Sequence, residues 1–181
     1  MTNHKPSPAI ELLLDGFSRI HDGVAQVLNG LSAADLAWRP GPNANPIGWL
    51  IWHLCRIEDL QMSGVAEALG RAGVKGQLWT DGGFAAKFKL PYSEEACGYG
   101  QSSAEVGEFH ASAALLKEYA EAVSTQTRNI LNTLHDDDFA IVVDKNWTPP
   151  VTAGVRVVST LMDDAQHLGQ AEYLKGLQAK A

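Results

Sequence analysis

Asp163 and His167 stand four residues apart within Val155–Leu177, a stretch whose apolar residues recur with helical period. On a helix that spacing places both side chains on one face, one turn apart. Far upstream, Pro46–Leu69 carries His53 in the middle of an otherwise apolar helix face. One imidazole from one helix and an Asp-x-x-x-His pair from another make a three-ligand metal set, with positions left for water or substrate. Such a set constrains the fold strongly, because two distant helices must face each other across a core. Helix period puts Thr160, Asp163, His167, Gln170 and Leu174 on one stripe. A carboxylate and an imidazole facing a core need partners, since buried unpaired charge is expensive.

The rest of the chain supplies the other helices. From Ala9 to Leu31, Ile10, Leu13, Phe17, Ile20, Val24 and Leu28 recur at intervals of three and four, an amphipathic pattern. Residues 1 to 8, with Pro6 and Pro8, are expected to fray. Three prolines in Trp38–Pro46 mark a loop, and Asn45-Pro46 reads as an N-cap with proline at the first helical position. Helical spacing returns from Ser103 to His135, and again from about Ala153 to Gly176 behind Thr152 as N-cap. Between the second and third long helices lies a Gly-rich stretch, 70 to 109, with one short helix expected at Gly83–Phe88. It is too long for a hairpin between helices. Phe139–Val143 is a short β-like run, and Trp147–Pro150 is a breaker. The expected fold is all-α: one domain over residues 1–181, built as a four-helix bundle with a long crossover between helices 2 and 3.

Composition excludes several functions. The net charge is −7 and no Lys/Arg cluster exists, which argues against nucleic acid and against an anionic membrane surface. No apolar run is long enough to span a membrane, and the N-terminus does not read as a signal peptide. Cys55 and Cys97 form neither a CxxC nor a zinc spacing. A cytoplasmic location with free thiols is expected, with Cys55 as a buried filler and Cys97 as an exposed loop thiol.

The set His53, Asp163 and His167 suits Zn²⁺, Fe²⁺, Ni²⁺ or Mn²⁺. An open site of this kind activates a bound water or thiol as a nucleophile near neutral pH. His4, His21 and His135 read as solvated. Arg56 reads as a helix-surface ion pair, and Asp164 as either a partner of the ligands or a solvent-facing carboxylate. Trp49, Trp52, Trp79 and Phe84 read either as core or as the wall of a pocket.

The segments GWLIWHLCRIED (48–59), LWTDGGFAAKFKLPY (78–92), GYGQSSAEV (98–106), WTPPVTAGVRVVS (147–159) and DDAQHLGQAEYLKG (163–176) carry a resemblance to a known family. The chain resembles the DinB-like four-helix metalloproteins, and within them the actinobacterial mycothiol-dependent branch related to the N-terminal domain of mycothiol-dependent maleylpyruvate isomerase. The resemblance implies an up-down-down-up bundle with metal ligands from the second and fourth helices, at His53 and His167. The position four residues before the last ligand is Asp163, where that isomerase carries a glutamate and many relatives a histidine. The implied activity is that of a divalent-metal-dependent thiol S-transferase. It would use zinc first, or nickel, iron or manganese, with a low-molecular-weight thiol of the mycothiol type attacking a small electrophile. The alternative is a non-catalytic metal- or ligand-binding stress-response bundle. A homodimer is compatible with either.

Overall fold

The computed structural model describes residues 6–71 and 76–179. It is mostly helical. The order is α1 (Pro8–Leu28), α2 (Ala33–Ala37), α3 (Ile47–Ala68), α4 (Phe84–Phe88), α5 (Ser103–Gly107) and α6 (Ala113–Leu131). A 3-10 turn (Asp136–Ala140), strands β1 (Val142–Asp144) and β2 (Val151–Thr152), and α7 (Ala153–Gln178) follow. α3 packs against α6 and α7, and α1 packs against the same two. Among the described residues no helix is long and apolar enough to cross a membrane. His4 lies outside the described residues.

Local chemistry sets the boundaries. Ser7 caps α1 by accepting from the Ile10 N–H, so Pro8 opens the helix rather than fraying, its missing N–H being one the first turn leaves unused. Pro46, not Asn45, is the N-cap residue of α3, which begins at Ile47. The expected helix from Ser103 to His135 is two helices. Ser102 and Glu105 form a capping box on α5, and Ser112 starts α6 afresh by accepting from Leu115 N–H. Phe139 falls in the 3-10 turn, and the β-like run is reduced to β1, paired antiparallel with β2. Thr152 caps α7 as expected, accepting from Val155 N–H at 3.3 Å.

α3 is buried on nearly every side from Ile47 to Asp59, as a helix at the centre of a fold must be. Around it lies one apolar cluster built from α1, α6, α7 and the crossover, and a second near the start of α7. The crossover is held by aromatic packing. Trp52 meets Trp79, Tyr92 and Phe109 at ring centroid distances of 5.8, 5.4 and 5.8 Å, and Trp79 meets Phe88 and Tyr119. Trp49, Trp52, Trp79 and Phe84 are all buried. They belong to the core, which settles the choice between core and pocket wall left open by the sequence.

The crossover is also held by polar bonds. Asp59 is 1% exposed, and its carboxylate accepts from Leu78 N–H at 2.9 Å, Trp79 N–H at 2.8 Å and the Tyr119 hydroxyl at 2.9 Å. Arg56 is equally buried. It donates to Ala96 O and Gln77 Oε1, lies over the Trp79 ring, and approaches Asp59 at 3.8 Å. The expected surface ion pair is therefore an interior one, because the crossover folds over that turn of α3.

Candidate metal centre

His53 comes from α3, and Asp163 and His167 from the facing turns of α7. One ligand atom from each lies within 4.8 Å of the others. His53 Nε2 is 4.0 Å from Asp163 Oδ2, and His167 Nε2 is 3.6 Å from Asp163 Oδ1. The two imidazole rings meet edge to face at 4.7 Å. The structure thus brings together the three residues singled out by spacing.

Each imidazole is oriented from behind. His53 Nδ1–H donates to the Cys97 carbonyl at 2.5 Å, which fixes the tautomer that leaves Nε2 as an acceptor facing the other two residues. His167 Nδ1–H donates to Gln170 Oε1 at 3.1 Å and leaves its Nε2 inward in the same way. Trp49 stacks on the His53 ring at 4.7 Å, with its indole N–H bonded to Gln101 Oε1. Burial, more than any charge nearby, pushes the His53 pKa below the ordinary imidazole value, with the Cys97 carbonyl opposing. His53 is therefore neutral at physiological pH, the form a metal requires.

Two observations fit a cation to this place. Asp163 Oδ2 is buried and accepts no hydrogen bond from the protein. The donor set, two neutral imidazoles and one carboxylate, is that of three-ligand sites for borderline divalent ions.

Sequence reasoning missed the support that comes from the crossover. Gly98 has φ +95°, and a Cβ there would stand 2.5 Å from His53 Nδ1 and 2.9 Å from Trp49 Cζ2. Only glycine permits the Cys97 carbonyl to reach the ring. Gly98→Ala is expected to lower stability by about 1–3 kcal/mol and divalent-metal affinity by about 10–100-fold. Urea unfolding and metal titration check the two effects, and an unchanged result in both would refute the role given to Gly98.

A second buried group lies behind the triad. Asp164, next to Asp163 but on another face of α7, is fully buried. Glu58 of α3 is also fully buried and accepts from His21 Nε2 of α1 at 2.9 and 3.1 Å. His21 is thus bonded inside the protein rather than solvated. Burial first, then the Glu58 and Asp163 carboxylates, push the Asp164 carboxyl well above the ordinary carboxylate range. A proton on Asp164 lets it donate to Glu58. The folded chain holds this proton more tightly than the unfolded chain. Its contribution to stability is complete below the unfolded pKa and declines as pH rises towards the raised folded value. Asp164→Asn keeps the shape and needs no proton. It is expected to stabilise the metal-free protein at pH 8 by on the order of 1–3 kcal/mol, and hardly at all at pH 4. Urea unfolding at both pH values measures this, and equal effects at the two would refute it.

The triad opens to a cleft of about 410 Å³ that reaches Asp163 and is lined by Ile57, Leu60, Cys97, Tyr99 and Trp147 among others. Cys97 is half-buried, as a loop thiol at a cleft edge, while Cys55 is fully buried as expected. Neither Tyr99 nor Trp147 was singled out by the sequence. Their signal was present as large aromatics set beside Gly, Pro and Asn, where no helix period requires them.

The DinB superfamily model matches residues 17–171. The crystal structure of a conserved protein from Enterococcus faecalis is similar to this chain with 31% identity and a TM-score of 0.83, covering 94% of this chain and 97% of that one. No curated protein matches the chain.

Proposed function

The chain belongs to the DinB superfamily, and on that ground we propose that it is a divalent-metal-dependent thiol S-transferase of the mycothiol-dependent branch. Its four long helices, α1, α3, α6 and α7, are read as one up-down-down-up bundle forming a single domain. The pairing of α3 and α1 each with α6 and α7 supports this, as does the long crossover that separates α3 from α6. His53, Asp163 and His167 hold the ion, zinc before nickel, iron or manganese. When bound, a divalent ion supplies Lewis acidity that brings a thiol or water to its anionic, nucleophilic form near neutral pH.

The observation that carries the reading is the triad with its two occupied Nδ1 atoms. The protein's own contribution is positional. Cys97 O and Gln170 Oε1 set the imidazole tautomers, and Trp49 covers the outer face of the His53 ring. The cleft beside Asp163 keeps an electrophile near the nucleophile, which turns a bimolecular encounter into a local one. The site works in the cytoplasm, where low-molecular-weight thiols are reduced. The test is thiol-dependent consumption of a panel of electrophiles by zinc-loaded protein, with mycothiol and other small thiols as donors. Turnover lost on chelation and restored by zinc is the expected result. A stoichiometric metal with no turnover on any thiol would instead indicate a binding protein without catalysis.

A further inference from the structure

The chain buries Trp49, Trp52 and Trp79 to 5% exposure or less, yet leaves Trp147 61% and Tyr99 87% exposed. Both of these line the cleft that reaches Asp163. They come from separate irregular segments. Tyr99 sits in the crossover beside the Cys97 carbonyl that orients His53, and Trp147 sits in the connection between β1 and β2. Aromatic rings left in water at a cleft offer flat apolar area, with binding energy released when a ring covers them.

The charges in the cleft decide what kind of ring. Its charged lining residues are Arg156 and Asp163. Arg156 donates to Asp144 Oδ2 at 2.6 Å. The Asn146 backbone N–H, foremost, and Arg156 hold the Asp144 carboxyl below the ordinary range, so this pair is ionised and neutral overall. Arg56, the other cation nearby in sequence, is buried against Asp59 and the crossover. Among the lining side chains no uncommitted cation balances a ligand anion. A divalent ion at the triad would be offset by the Asp163 carboxylate and by the thiolate it activates, and the net charge of −7 repels an anion. Ile57 and Leu60 make the floor apolar, while Gln61 and Ser159 supply neutral hydrogen-bonding groups.

We infer that this cleft binds an uncharged, planar, conjugated molecule stacked against Trp147 and Tyr99. Resting on the reading of the site above, that molecule is the electrophile. The unreactive probe is 2-naphthol, uncharged at pH 7, compared with 2-naphthoate, which carries the same rings and one negative charge. Calorimetric titration is made on the chelator-treated wild type, Trp147→Ala and Tyr99→Ala, all checked for unchanged thermal unfolding, so that no open position on an ion takes up the naphthoate carboxylate. The expected result is that 2-naphthol binds the wild type and binds about tenfold more weakly to Trp147→Ala and to Tyr99→Ala. The naphthoate binds at least about tenfold more weakly than the naphthol. Naphthoate binding as tightly as naphthol, naphthol affinity indifferent to both aromatic substitutions, or no naphthol binding at all would each overturn the inference. Naphthol binding by a wild type that takes up no zinc when it is added back would leave the inference standing and overturn the metal reading alone.

Discussion

Replacing His53 by alanine is expected to abolish stoichiometric metal binding. Protein purified without an affinity tag should carry about one divalent ion per chain. His53→Ala should carry none, with affinity lowered by more than about a hundredfold. The reason is geometric. Asp163 and His167 lie on one helix, so α3 provides the remaining donor, and it is already in the competent tautomer through its bond to the Cys97 carbonyl. Without it two donors remain from one face of α7, too few to compete with water. Gln170→Ala should weaken binding by less, about 10–100-fold, because it frees the His167 ring without removing a donor. Elemental analysis and competitive titration with a chromogenic chelator rank the variants. Metal retained by His53→Ala at the wild-type level would falsify the assignment.

The largest loss of stability should follow Asp59→Ala. Its carboxylate accepts from two backbone N–H groups of the crossover and from Tyr119 of α6, and stands near Arg56. Truncation leaves those donors buried and unsatisfied, and leaves the Arg56 guanidinium without its nearest carboxylate. Removing one member of a buried ionic pair costs about 3–5 kcal/mol. In a chain of this size that corresponds to a Tm lowered by roughly 10 °C. Asp59→Asn keeps the shape and an acceptor oxygen, and should lose less. Urea unfolding of both variants provides the comparison. A loss below about 1 kcal/mol in Asp59→Ala would show that the crossover is held by its aromatic rings and not by this carboxylate.

Periodicity made the long helices legible, and with them the triad. Asp163 and His167 show their common face through a spacing of four, and His53 stands out because its helix is otherwise apolar there. Ends were less legible, since they depend on single caps. Ser112 restarts a helix in the middle of what reads as one continuous pattern. The support of the site was not legible at all. The Cys97 carbonyl reaches His53 from 44 positions away, out of a stretch with no period, and a backbone atom leaves no trace in side-chain chemistry. Gly98 hints at it only as one glycine among 17. Arg56, Glu58 and Asp59 carried a usable signal. Charged residues in the middle of a helix buried all round require interior partners. His21 supplies one of them from an edge of α1 that reads as polar.

Trp147 is the exposed tryptophan of the described chain; Trp38 is partly covered and the other three are in the core. The protein therefore contains its own optical reporter. The red edge of the indole emission band comes from solvated indoles, and acrylamide quenches them first. Emission collected that way follows events at the mouth of the cleft, while the blue-shifted remainder follows the state of the interior. Occupancy and unfolding can be read separately from one unlabelled sample.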